Sequence, residues 1–238
     1  MASTTAVVAT SFTEDFNKFI AGENSAGLRE LRERAFSYFA AAGFPTPKLE
    51  DWKYTNVSSV VSDKWLVNGK PKTVDVDVET LRNFHYERNG FTALNLAYGE
   101  FQIVRITKET VVDAAIELNL AAAENAAIFP HVIVVAEAGS KATLIETYKS
   151  PAKSFTNSAV QIVVEENANL THYRVQRDSL EAFNYGVTEV SLAGGSLYNS
   201  TNINLGSALS RHDIELKFTS EGGEAFVDGL YMLGGEQH

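Results

Sequence analysis

Chemistry in this chain would have to come from its 5 histidines and its paired carboxylates, because the 238 residues include no cysteine. That absence removes disulfides, thiol nucleophiles and thiolate metal sites together. His85 lies between Phe84 and Tyr86, where a partly buried ring with a satisfied nitrogen is expected. His131, His172, His212 and His238 follow. Only His212 and His238 fall at a similar phase of the repeat described below, and two imidazoles do not complete a metal site. Glu165-Glu166, Asp213-Glu215 and Glu221-Glu224 could supply the acid and base of a sugar-cleaving enzyme. Each pair straddles a corner or alternates outward on a strand, as charge that blunts exposed strands does. No GxxxxGK[ST], GxGxxG or GxSxG motif occurs. The expectation is that the chain has no catalytic residue and no metal ligand; a cofactor-binding residue is left unassigned.

One stretch, EDWKYTN at 50–56, mixes acids, a lysine and two large aromatics directly after a Pro-Thr-Pro turn. In an extended segment Trp52 and Tyr54 would point one way and Lys53 the other. Rings of this size bury, with the indole N–H and phenol O–H still reaching partners. Both aromatics are therefore expected to latch the preceding helical segment onto the β-structure.

The elements that position these residues follow from periodicity. Ser11 or Thr13 can cap a helix with Phe12, Phe16, Phe19 and Ile20 on one face, stopped at Gly22. Ser25 caps a second in which Leu28, Leu31, Ala35, Phe39 and Ala42 recur up to Gly43, with Arg29, Glu30, Arg32, Glu33 and Arg34 on the solvated side. Val57, Val60 and Val61 form a segment of uncertain type ending near Trp65. TVDVDV (73–78) alternates as a strand, and FTALNLAYGEFQIVRI (91–106) reads as two strands around Tyr98-Gly99-Glu100. VVDAAIELNLAAAENAAIF reads as strand up to Leu120 and irregular after it.

From residue 131 onward, β-runs alternate with small turns. Gly139, Asn167, Gly195 and Gly223 recur every 28 residues. A repeat of this length means a solenoid or a propeller, and propeller blades need longer units. Short β-runs with Gly or Asn at the corners suit a parallel β-helix, because both residues tolerate the left-handed conformation that tight corners demand. The fold expected is mainly β, a parallel β-helix preceded by a small N-terminal helical region, with residues 1–90 as that region and 91–238 as the β-helix.

Composition narrows the partners. Hydrophobic residues make up 45% of the chain and the net charge is −10, with no basic stripe for nucleic acid. No apolar run approaches the roughly 20 residues of a membrane span. The opening MASTTAVVATS has no basic n-region and reads as a frayed terminus, not a secretory signal. A cytoplasmic location follows.

Three stretches, GFPTPKLEDWKYTNV, FTALNLAYGEF and LSRHDIELKFTSEGGEAFVDGLYMLGGEQH, resemble the SufB/SufD family of iron–sulfur cluster assembly proteins. The resemblance runs in order from about Leu28 to His238. Gly43, Pro45, Thr46, Glu50, Trp52, Lys53, Tyr54 and Thr55 match a pattern specific to its SufD side. Ser210-Arg211, the Glu221-Gly222 corner, Gly229-Leu230-Tyr231 and Gln237-His238 match one shared by both members. The resemblance implies an N-terminal helical region, a right-handed parallel β-helix and a C-terminal helical region. It also implies a SufBCD complex, in which SufD pairs with SufB and both dock the ATPase SufC through the C-terminal region. The iron–sulfur cluster is assembled on that complex, with thiolate ligands chiefly from SufB, so a cysteine-free chain suits a SufD-like scaffold without turnover.

The family pattern continues past His238, where its functional histidine and ATPase-docking helices lie, so no site residue carries over. A chain ending there is expected to lack the ATPase docking region and to self-associate through the open β-helix edge. The rival readings are a secreted-type β-helix polysaccharide lyase or hydrolase and a stand-alone structural β-solenoid.

Overall fold

The computed structural model describes residues 12, 15–67, 71, 76 and 78–238. Helices occupy the N-terminal part: α1 (15–20), α2 (Ala26–Ala42), α3 (Ser58–Ser62), α4 (Val78–Arg82) and α5 (Gly90–Tyr98). Twelve strands complete the described elements. β1 (Leu66–Val67), β2 (Glu100–Ile106), β4 (Ala126–Ile128), β5 (Pro130–Ala136), β7 (Phe155–Val164), β9 (Phe183–Leu192) and β11 (Leu209–Phe218) form one sheet. The second contains β3 (Ile116–Leu120), β6 (Lys141–Tyr148), β8 (Asn169–Gln176), β10 (Leu197–Asn204) and β12 (Glu224–Tyr231). Every pairing is parallel, and successive coils contribute one strand to each sheet. This is the β-solenoid expected from the repeat.

One coil is 28 residues: Lys141 pairs Asn169, which pairs Leu197. Gly139, Asn167 and Gly195 each adopt positive φ at successive corners (69°, 57° and 65°). Backbone bonds run up the stack from Gly139 N–H to Glu166 O (2.9 Å) and from Asn167 N–H to Gly194 O (3.0 Å). The fourth corner corrects the expectation by one residue. Gly222, not Gly223, has the positive φ, because β12 pairs β10 with Leu197 opposite Glu224, one residue short of a full coil.

The helices lie against the outer face of the first sheet. Phe129, Ile133, Phe155, Ala159, Phe183, Tyr185, Val187 and Leu209 project from that face into a cluster with the aromatic faces of α1, α2 and α5. A second apolar cluster fills one half of the coil interior, with Val132, Val134, Val160, Ile162, Leu144, Leu170 and Leu192.

The second helix forms where its cap and period place it, with Ser25 Oγ accepting from Leu28 N–H. Arg32, however, does not lie on a solvated side. It is 1% exposed, pairs with Glu23 (3.1 Å), and donates to Ala97 O and Gly99 O (3.0 Å each) at the end of α5. Its guanidinium lies over the rings of Phe19 and Phe101. Burial lowers its pKa to about 10, opposed by Glu23, so it stays charged at neutral pH.

FTALNLAY is a helix, not the first of two strands. All nine residues of α5 are buried, so the sequence shows no polar face to reveal a helical period. Asn89 Oδ1 accepts from the N–H groups of Phe91 and Thr92, and Thr92 Oγ1 accepts from Asn89 N–H, a capping box that fixes the start. The expected strand at 73–78 lies mostly outside the described residues, and its last residue, Val78, opens α4. The Ser11 or Thr13 cap and the frayed terminus also lie outside them. Ser58–Ser62 resolves the uncertain segment as helix, and Ile116–Leu120 is the expected strand. Among the described residues no helix is long and apolar enough to cross a membrane.

Half of the aromatic latch forms. Glu50–Trp52 is a 3-10 turn, whose period of three rather than two separates the two rings. Trp52 is 4% exposed and lies between Phe91 (5.5 Å), Tyr185 (5.8 Å) and the guanidinium of Arg211 (3.9 Å). Arg211 also donates to Asp51 O (2.7 Å) and from Nε to Asp213 Oδ1 (3.0 Å). Tyr54 is 80% exposed. Trp52→Ala is therefore expected to cost about 3–5 kcal/mol in equilibrium urea unfolding. Tyr54→Ala should stay within about 0.5 kcal/mol. Equal losses from both would contradict this assignment.

Candidate functional site

The other half of the coil interior is polar, and it is built by alternation. On β6, β8 and β10 every second residue faces inward, which places Glu146, Tyr148, His172, Arg174, Gln176, Tyr198, Ser200, Asn202 and Asn204 inside. From the first sheet come Ser158, Asn184, Thr188 and the half-buried His212. His172 Nε2 meets Glu146 Oε1 at 2.7 Å, and its Nδ1 meets the Tyr198 hydroxyl at 2.8 Å. Tyr148 O–H donates to the other carboxylate oxygen at 2.6 Å. Arg174 lies over the Tyr148 ring and donates to Asn204 Oδ1 (3.1 Å) and Asn184 Oδ1 (2.7 Å). Asp178 closes the chain, accepting from Gln176, Asn184 and the backbone N–H of Ser150.

Electrostatics follow from this packing. Burial would raise the Glu146 carboxyl, but the charges and hydrogen bonds of His172, Tyr148 and Arg174 outweigh it and hold the group below the usual carboxylate range. Burial, with Arg174 and His172 nearby, keeps His212 well below the usual imidazole value; its Nε2 lies 2.9 Å from Thr188 Oγ1. Gly186 leaves room for this convergence: a Cβ there would meet Arg174 Nη2 at 3.0 Å, Ser158 Oγ at 3.1 Å and His212 Cδ2 at 3.2 Å. Without a thiol, this interior can orient and exchange protons but cannot form a thiolate bond.

The five histidines do not converge on one site: His172 and His212 share the interior, and the other three lie elsewhere. His131 is buried outside the first sheet, between Asn95 Oδ1 (2.8 Å) and Gln161 Oε1 (2.9 Å). His238 is exposed beside the start of β11, bonded through its backbone to Ala208 and Ser210. His85 corrects the expectation of partial burial: its ring is exposed because the loop before the 3-10 turn Tyr86–Arg88 holds it by its backbone, whose N–H reaches both oxygens of Glu189 at 3.3 Å.

The carboxylate pairs are likewise apart in role. Glu165 accepts from the Ala138 N–H at a corner. Asp213 binds Arg211 and the Tyr185 hydroxyl, whereas Glu215 meets Arg88. A cleft of about 720 Å³ opens between residues 80–87 and the first sheet, with Glu189 and Glu215 on its wall. Burial raises the Glu189 carboxyl, opposed by His85 N–H and Arg88. Sequence reasoning missed the buried polar row, although its signal was present as polar residues at every second position of β8 and β10.

Among the described residues β11 has one neighbouring strand, β9, and β12 has one, β10. Phe218, Phe226, Val227, Leu230, Tyr231, Met232 and Leu233 there are each between 42% and 63% exposed.

Residues 9–87 match the SufBD protein N-terminal region. Residues 119–238 match the SufBD core domain of SUF-system FeS cluster assembly. The chain belongs to the SufBD family. An iron–sulfur cluster assembly SufBD family protein of Synechocystis sp. is 30% identical over 118 residues, covering 45% of this chain and 26% of that protein. Protein ABCI7, chloroplastic, of Arabidopsis thaliana is 26% identical over 91 residues, covering 37% of this chain and 19% of that protein. These matches span about a quarter or less of those relatives. Both family regions and their order agree with the helical layer and the solenoid described above.

One pH dependence follows from the SufBD layer between helices and sheet. Burial holds His131 at about 4 against 6.5 for the free side chain. Between those values the unfolded chain binds a proton that the folded chain refuses, so stability falls as pH drops through that window. The loss attributable to His131 is roughly 3 kcal/mol by pH 4, at 1.36 kcal/mol per unit. His131→Gln should flatten the slope of unfolding free energy between pH 6.5 and 4; an unchanged slope would refute the assignment.

Proposed function

We propose that this chain is a SufD-like scaffold subunit for iron–sulfur cluster assembly, acting with SufB-like and SufC-like partners in the cytoplasm. The observation that carries the reading is the ordered match to both SufBD regions in a chain with no cysteine. Such a chain cannot offer a thiolate to the nascent cluster, which is the cargo, so its contribution is to shape and hold the subunit that can. The hydrogen bonds that tie Glu146, Tyr148, His172, Tyr198 and Arg174 to one another and to their neighbours support a rigid scaffold with no turnover of its own. We divide the chain accordingly into an N-terminal region (1–90) and a solenoid region (91–238).

The partner's place is the outer edge of β11 and β12. A strand edge with unpaired N–H and C=O groups and apolar neighbours is a template for another strand. Val227 and Tyr231 occupy the inward-facing positions of β12, opposite Ser200 and Asn204 of β10, and are open on the side away from the stack. A second solenoid of the same family would cover them, and at high concentration a second copy of this chain would do the same.

Co-expression of the tagged chain with SufB-like and SufC-like proteins should yield a complex that contains the SufB-like subunit. Val227→Lys should abolish that capture and also any concentration-dependent dimer seen by sedimentation. A folded chain that captures no SufB-like subunit would overturn the reading. Capture that withstands Val227→Lys would overturn the edge as the contact.

A further inference from the structure

We infer that His85, Glu189 and Glu215 form a binding site for a divalent first-row metal ion on the outer face of the first sheet. The inference is independent of the scaffold reading, since it rests on neither the strand edge nor the polar interior.

The sheet itself brings the carboxylates together. β9 and β11 run in parallel register with Glu189 directly beside Glu215, and Gln161 of β7 is next in the same column. Adjacent strands lie about 4.8 Å apart, so two carboxylates in register repel unless a cation joins them. The loop that carries His85 crosses above this column, tied down by the His85 N–H on Glu189. One ring nitrogen and one oxygen from each carboxylate thereby lie within 4.8 Å of one another. Metal–ligand bonds of about 2 Å would require a separation of about 3.3 Å. The His85 and Glu215 side chains are exposed and would have to close that gap, while Glu189 is half-buried.

The ligand set is one imidazole and two carboxylates, which suits zinc, cobalt or manganese better than calcium or magnesium. Its open side faces the cleft of about 720 Å³, leaving the remaining coordination positions to water. In the metal-free chain Arg88 performs the neutralisation, 3.6 Å from Glu189 and in contact with Glu215. Arg88 is thus a resident competitor that a divalent ion displaces.

That competition makes the test specific. Untagged chain would be titrated calorimetrically with Zn²⁺, and with Co²⁺ to read ligand geometry from the visible spectrum. One ion per chain is expected. Glu215→Gln and His85→Ala, both exposed substitutions, should each weaken binding by about tenfold or more. Arg88→Met should tighten it, which a loss of structure would not do. Circular dichroism of each variant establishes that it is folded. Absence of stoichiometric binding, binding unchanged by both ligand substitutions, or weaker binding in folded Arg88→Met would each overturn the site.

Discussion

Register governs everything in a parallel solenoid: each inward side chain sits directly on its counterpart one coil away. An apolar residue meets that condition with any apolar neighbour. A polar one does not, because a buried donor or acceptor without a partner costs about 1–3 kcal/mol. Glu146 in one coil is tolerable because His172 in the next reaches it and Tyr148 covers its second oxygen. His172 in turn needs Tyr198 from the coil after that. The polar row therefore links three consecutive coils, and a slip of one residue would turn every one of its members outward. The apolar half of the interior supplies burial, and the polar half specifies register.

The helical layer obeys a related constraint. A flat sheet face covered by helices must satisfy the backbone groups those helices leave free. Arg32 does this at the end of α5, donating to two carbonyls while Glu23 balances its charge. Removing one partner from such a pair leaves an uncompensated buried charge, a cost of about 3–5 kcal/mol. Arg211 plays the corresponding part for the Trp52 turn, joining it to β11. The N-terminal layer is thus tied to β2 through the Arg32 contact with the Phe101 ring and to β11 through Arg211.

How much of this could be read from the residues depends on whether a signal is local. Gly139, Asn167 and Gly195 were legible as corners because each is forced by its own φ, whereas the fourth corner lies at Gly222, one residue before the expected Gly223. The α2 cap and face were legible for the same reason, since Ser25 and the apolar period act within one helix. The fold of α5 was not, because a helix buried on every side has no polar face and its strand-like alternation is accidental. Arg32 was misjudged because its partners come from residues far away in sequence, and Tyr54 because the 3-10 turn at Glu50–Trp52 breaks the expected alternation. Trp52 depends on Arg211, and no spacing rule reaches that distance. The cluster at His85 has the same character: Glu189 and Glu215 become neighbours only through strand register.

Stability along the axis is consequently unequal. The middle coils have partners on both sides, an apolar half and a polar half that both close. Among the described residues β12 stacks on β10 alone, and its inward positions Val227, Gly229 and Tyr231 do not continue the polar row. Local opening free energy follows buried contacts, so a strand with a neighbour on one side opens more readily than one in the middle of a sheet. The rigidity of the interior and the openness of the edge are therefore two consequences of the same stacking rule.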